Sequence, residues 1–167
     1  DDRCFLDRQQ AMPLDGYTAL IRRLLNHSRI TVDLNLSLVD DRAMSAGHLI
    51  CTGPIDQFFG SPFGALPYRS ACFHFATLEM RQAQLVAVVN KPSPKIAYTR
   101  VTEFKHMTGQ DHPKTTLAFE YTNSTGEPYW PIPTAATRAL YQQYRTLADE
   151  TPGVSFCGRL GTYQYLD

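Results

Sequence analysis

Arginine and tyrosine stand close together at three places along the chain: Tyr68-Arg69, Tyr98-Thr99-Arg100, and Arg159 with Tyr163 and Tyr165. A guanidinium is a planar fork that donates in bidentate fashion to phosphate oxygens, and a tyrosine hydroxyl can complete the oxygen shell, so this pairing suits a diphosphate. On a strand, where side chains alternate, Tyr98, Arg100, Thr102 and Phe104 would share one face. The same residues also describe surface arginines and half-buried tyrosines on a sheet, and spacing alone leaves both readings open. The carboxylate pairs Asp40-Asp41 and Asp149-Glu150 flank loops or helix ends and read as solvated groups rather than an acid/base pair.

Other chemistries find little support. No G-x-S-x-G and no P-loop occur, and Gly158-x-x-Gly161 is too short for a dinucleotide fingerprint. Cys4, Cys51, Cys72 and Cys157 are widely spaced with no C-x-x-C, which reads as reduced cytosolic thiols. The five histidines form no H-E-x-x-H and no zinc spacing with cysteine, so no metal is expected. Sixteen basic residues balance sixteen acidic ones in 167, which argues against a general nucleic-acid or polybasic membrane role. Any phosphate must be met locally. Hydrophobic residues make up 43%, enough to exclude disorder, yet no apolar run reaches the roughly 18 residues of a membrane span.

The elements that must position these groups follow from periodicity. Tyr17, Leu20, Ile21, Leu24 and Leu25 form one apolar helical stripe, opened by Asp15-Gly16 or Thr18. Ile30, Val32, Leu34, Leu36 and Leu38 then alternate with polar residues, which predicts a half-buried strand. Leu49-Ile-Cys-Thr52 is a short apolar strand ending in Gly53-Pro54, whose bare backbone permits close approach of a ligand. Strand signals follow at Cys72–Leu78, Gln84–Val89, Tyr98–Phe104 and Thr116–Tyr121, and together they predict an antiparallel sheet. Leu140, Tyr144, Leu147 and Ala148 mark a helix with Thr134 as its N-cap and Pro152-Gly153 as its stop. Val154–Cys157 is a last strand entering a glycine-bounded turn.

The layout is α/β at both ends with an antiparallel sheet between. One helix and two or three strands cannot cover a sheet alone, and the chain opens without Met, so it is expected to be cut from something longer.

Seven segments, taken in order, carry a resemblance: Met12-Pro-Leu-Asp-Gly-Tyr-Thr18, Cys51-Thr-Gly-Pro-Ile-Asp56, Leu66-Pro-Tyr-Arg-Ser70, Ala87-Val-Val-Asn90, Tyr98-Thr-Arg-Val-Thr-Glu-Phe-Lys-His106, Glu127-Pro-Tyr-Trp-Pro-Ile132 and Gly158-Arg-Leu-Gly-Thr-Tyr-Gln-Tyr-Leu-Asp167. The sequence resembles the later part of bacterial UDP-galactopyranose mutases. The resemblance implies a cytoplasmic flavoenzyme, a homodimer at full length, that interconverts UDP-galactopyranose and UDP-galactofuranose for surface glycans. Reduced FAD supplies the chemistry without net redox change, and the protein holds the diphosphate as it departs and returns.

Position by position, the resemblance implies that Arg100 grips the diphosphate, that Tyr165 hydrogen-bonds it, and that Arg159 stands beside the isoalloxazine with Gly158, Thr52 and Gly53 as further cofactor contacts. It places Asn90, Arg69, Tyr129, Trp130 and Asp167 around the substrate, with Arg69 and Asp167 equally open to a structural role. Two positions depart from the family pattern. Trp130 stands where a phosphate-contacting tyrosine is usual, leaving an N–H donor without a hydroxyl, and Cys4 replaces a cleft tyrosine.

The implied fold is α/β (α+β): residues 1–62 contribute a helix-strand part of a larger Rossmann-like FAD-binding domain, residues 63–133 form an inserted antiparallel substrate domain, and residues 134–167 return to the flavin site. The family's G-x-G-x-x-G turn and uridine-gripping helices lie outside these residues, so the 167 residues alone are expected to bind neither FAD nor UDP well. Two other readings are an amine-oxidase-like flavoprotein oxidoreductase and a non-catalytic or altered-substrate nucleotide-sugar-binding homologue.

Overall fold

A computed structural model describes residues 8–9, 11–36 and 47–166. The sequence-predicted helix is present as α1 (Gly16–Leu25), with Asp15 at its N-cap. The Asp15 carboxylate does not cap the helix; it takes the Arg23 guanidinium at 2.6 Å instead. The strand predicted over Ile30–Leu38 is not formed where it is described. Residues 30–36 are irregular and exposed, and the end of the run, Ser37 and Leu38, lies outside the described residues. A half-buried strand needs a partner to bond and a layer to cover it. Among the described residues neither is present for this segment.

Two sheets follow. β1 (Leu49–Cys51) pairs in parallel with β7 (Val154–Phe156), over a hundred residues later, with Cys51 opposite Phe156. The larger sheet is antiparallel, as the sequence predicts. It contains β2 (Tyr68–Leu78), β3 (Val88–Asn90), β4 (Arg100–Glu103), β5 (Thr115–Asn123) and β6 (Trp130–Pro131), in the order β3-β4-β5-β2-β6. Its spine is the β2–β5 pair, in register from Ser70 opposite Asn123 to Leu78 opposite Thr115. Pro131 has no N–H to donate and accordingly sits at the sheet's edge.

A short helix α2 (Ile55–Phe58) follows β1. Strand β3 is shorter than the predicted Gln84–Val89 run because the backbone N–H groups of Ala83 and Gln84 are committed elsewhere, to the carboxylate of buried Glu103. The Thr115 hydroxyl donates to the same carboxylate at 2.5 Å, and His106 Nε2 lies 3.4 Å from it. Beyond Glu103 the chain turns into the one-turn helix α3 (Lys105–Thr108), stopped by Gly109 in the left-handed region at φ 66.

The long helix α4 (Ala135–Asp149) packs with α2 beside the parallel strand pair, and α5 (Gly158–Gly161) is a single turn after β7. Ile55, Leu66, Tyr144, Ala148 and Tyr163 form the buried core here, joined by Tyr68, Tyr141 and Phe156. Thr134 caps α4 as the sequence predicts, accepting from the Thr137 N–H at 3.2 Å while the Thr137 hydroxyl accepts from the Thr134 N–H. Thr134→Ala in the full-length protein is expected to cost about 1 kcal/mol, read as a lowered midpoint in denaturant unfolding. An unchanged midpoint would remove the cap from α4's stability.

Candidate functional site: an arginine-lined cleft beside two glycine turns

Strand register builds the first half of the site. Arg100, the first residue of β4, lies opposite Asn90 on β3 and Glu120 on β5, so three neighbouring strands present these residues side by side. Arg100 Nε donates to Asn90 Oδ1 at 3.1 Å, and its Nη1 stands 3.6 Å from Glu120 Oε2. Five N–H groups leave a guanidinium held on two sides with donors to spare for a ligand. Glu120 is more deeply set than the arginine, with side-chain exposures of 14% and 47%, so the carboxylate lies beneath and the guanidinium faces outward.

Strand β2 brings Arg69 to the same place, opposite Trp130 on β6, and the segment after α5 adds Tyr165. Arg69, Asn90, Arg100, Glu120, Trp130 and Tyr165 line one open cleft of about 640 Å³, with the Pro-rich turn after β3 as a further wall. Arg69, Arg100 and Lys91 outnumber the one carboxylate, Glu120, so the cleft is locally cationic although the chain is neutral. Such a concentration of forked donors suits a polyanion such as a diphosphate.

Other expected residues fall differently. Tyr129 sits beside Trp130, ring centroids 5.5 Å apart, but does not line the cleft. Of the four residues expected on one face of β4, only Arg100 and Thr102 share it. Tyr98 packs edge-on against Phe119 and Tyr121, the side of β5 opposite Glu120, and Phe104 has already turned helical to open α3. The cause is local: Thr99 gives its N–H and hydroxyl to the Glu120 carbonyl, and residue 98 lies outside the regular strand, so alternation does not extend back to it. Asp167 and Cys4 lie outside the described residues.

The expected cofactor contacts meet at the other end of the site. Both strands of the parallel pair end at one edge, and their following turns lie side by side: the Cys157 N–H donates to the Cys51 carbonyl at 3.0 Å. Gly158 adopts φ +74, with Thr52 as its nearest neighbour, and a Cβ on Gly161 would stand 3.2 Å from the Cys51 carbonyl oxygen and 3.6 Å from that of Gly53. Bare backbone at the carboxyl ends of parallel strands is where α/β sheets commonly accept a cofactor, and the glycines let these two turns pack closely there. Burial raises the Cys51 thiol pKa, despite a hydrogen bond with the Gly53 backbone that lowers it, so Cys51 is a neutral packing residue there. Arg159 joins the two halves, its guanidinium carbon 5.9 Å from the Tyr165 ring centroid.

Sequence reasoning does not find Glu120, which becomes visible only through register. Among the described residues no cluster of three or more His, Cys, Asp or Glu could hold a metal, and no helix is long and apolar enough to cross a membrane.

Comparison with known proteins converges on the same reading. The chain is 34% identical over its whole length to a probable UDP-galactopyranose mutase of Klebsiella pneumoniae, covering 44% of that protein. It is 34% identical, again over its whole length, to a dTDP-fucopyranose mutase of Escherichia coli, covering 47% of it. A UDP-galactopyranose mutase of Mycoplasma genitalium is 33% identical over 95% of the chain and 44% of its own length. The chain thus spans a little under half the length of these curated relatives. With the family model for UDP-galactopyranose mutase matching residues 1–165 and five of the seven motifs contributing residues to one cationic cleft, the chain belongs to the UDP-galactopyranose mutase family.

Proposed function

We propose that the full-length protein is a flavin-dependent UDP-galactopyranose mutase, an isomerase interconverting UDP-galactopyranose and UDP-galactofuranose for surface glycan synthesis. The observation that carries this reading is the convergence of Arg69, Asn90, Arg100, Trp130 and Tyr165, distant in sequence, on one cleft. In it Arg100 donates bidentately to the diphosphate and Tyr165 contributes its hydroxyl, so that leaving-group charge is met by donors already in place. Trp130 offers an indole N–H where a tyrosine hydroxyl is usual, and Asn90 both orients Arg100 and faces the sugar. On this reading Tyr129 stands further out, beside Trp130, and Asp167 keeps the role near the substrate that the resemblance gives it.

FAD would be held by Thr52, Gly53 and Gly158, with Arg159 beside its ring system. When bound in reduced form it supplies the covalent chemistry at the sugar's anomeric carbon and emerges with no net redox change. The positive charge of Arg159 favours an anionic reduced ring. Residues 1–62 and 134–167 then belong to the flavin domain and residues 63–133 to the substrate domain. The full-length protein is a cytoplasmic homodimer, and the 167 residues alone are inactive.

A second reading, a mutase for a dTDP-sugar, is favoured by the equal identity to the dTDP-fucopyranose mutase. Both nucleotide classes carry the diphosphate that the cleft suits. The test is to give the reduced full-length protein UDP-galactofuranose or dTDP-fucofuranose and separate the products by anion-exchange chromatography. A higher kcat/KM for the UDP-sugar is expected. A preference for the dTDP-sugar would transfer the assignment, and turnover of neither would overturn both.

A further inference from the structure

Tyr165 reaches the cleft only because the chain turns sharply just before it. The residue at the turn is Tyr163, which adopts φ 51, a left-handed conformation that costs a side-chain-bearing residue free energy and persists when its surroundings impose it. Those surroundings are well defined. Tyr163 is 3% exposed; its hydroxyl donates to the Pro67 carbonyl at 2.7 Å and accepts from the Ile132 N–H at 3.2 Å. Its ring meets Tyr68 edge-on at 5.3 Å and stacks on Tyr141 at 5.9 Å. Burial raises the phenol pKa, so the hydroxyl keeps its proton and donates.

The partners of this one side chain are placed consistently. Pro67 lies two residues before Arg69, Ile132 two residues after Trp130, and Tyr163 itself two residues before Tyr165. A single hydroxyl therefore ties together the three segments that deliver Arg69, Trp130 and Tyr165 to the cleft, while touching none of the cleft's lining. We infer that Tyr163 is a positioning residue for the nucleotide-sugar site, setting the reach of Tyr165 by locking a left-handed turn onto the segments that carry Arg69 and Trp130. This rests on the reading of the cleft as a diphosphate site.

The test is a double-mutant cycle on the full-length flavoprotein, with UDP affinity measured by titration calorimetry. Tyr163→Phe keeps both ring contacts and removes only the tie. It is expected to raise the UDP Kd about tenfold in the otherwise wild-type protein and less than about threefold in a Tyr165→Phe background, because residues acting through one another are not additive. Flavin content and melting temperature report separately on folding. Should Tyr163→Phe be insoluble, Tyr141→Leu loosens the stacking partner on α4 and is expected to weaken UDP binding in the same Tyr165-dependent way. Effects that add fully across the cycle, or a Tyr163→Phe protein with wild-type UDP affinity, would overturn the positioning role. Wild-type protein that binds no UDP would instead overturn the reading of the cleft, and the positioning role with it.

Discussion

Replacing Arg100 by alanine in the full-length protein is expected to lower mutase turnover about a thousandfold while flavin remains bound, the size of effect seen when a preorganised donor to developing negative charge is removed. Arg100 is the cationic group that the sheet itself orients. Asn90 and Glu120, on the strands either side, hold the guanidinium at 3.1 and 3.6 Å and so fix its plane before any ligand arrives. Arg100→Lys is expected to recover little, because an ammonium is a point charge that cannot satisfy both Asn90 and a diphosphate as a fork does. Initial rates with UDP-galactofuranose, alongside the flavin absorbance of each purified variant, check both statements. Turnover within about tenfold of wild type in Arg100→Ala would remove this residue from the diphosphate and shift the role to Arg69.

The largest effect on stability is expected at Glu103, a fully buried carboxylate that accepts from the Thr115 hydroxyl and from the N–H groups of Ala83 and Gln84, with His106 alongside. Glu103→Ala leaves those donors without an acceptor in the interior and is expected to destabilise the fold around the five-stranded sheet by about 3 kcal/mol. The same group makes stability pH-dependent, and the sign follows from its environment. Burial alone would raise its pKa, but the Thr115 hydroxyl, the two backbone donors and His106 overcome that, and the carboxyl sits below its ordinary value. A group whose pKa is lower folded than unfolded binds its proton preferentially in the unfolded chain. Its contribution is therefore complete above the ordinary carboxylate pKa of about 4.3 and is lost as pH falls through the lower folded value. Denaturant midpoints recorded from pH 7 down to pH 3 should show wild type converging on Glu103→Gln at the acid end. Parallel curves would contradict the assignment.

Much of the sheet is legible in the sequence because its signals are local. Cys72–Leu78 and Thr116–Tyr121 are short runs holding aromatic and β-branched residues between polar turns, and they pair as β2 and β5. Thr134 and Pro152-Gly153 bracket α4 through capping and backbone chemistry that need no tertiary partner. Where tertiary context decides, local pattern misleads. The alternation of Ile30–Leu36 is as regular as that of any strand, but alternation without a neighbour to bond does not make one. Alternation puts Tyr98 on the Arg100 face only if the strand is carried back beyond Arg100, where the regular backbone has already ended. The cleft residues are legible through family motifs and not through physical chemistry alone, since Arg69, Asn90, Arg100 and Trp130 meet only through the β3-β4-β5-β2-β6 order and Tyr165 joins them only through the turn after α5. That order is a long-range property, and so is the opposition of Glu120 to Arg100. Tyr163 gives no local signal at all: a left-handed tyrosine is legible only once its hydroxyl's partners, Pro67 and Ile132, are seen.

The most direct measurement of the central claim is the stoichiometry of turnover: the full-length flavoprotein, reduced once under anaerobic conditions, is mixed with excess UDP-galactofuranose, and ring size and reductant are followed together. The account requires many equivalents of UDP-galactopyranose per flavin with no further reductant consumed, because the diphosphate departs and returns within one cleft. Product formation limited to one equivalent of reductant per turnover, or an oxidised product with no change of ring size, would contradict it and indicate an oxidoreductase on the same scaffold.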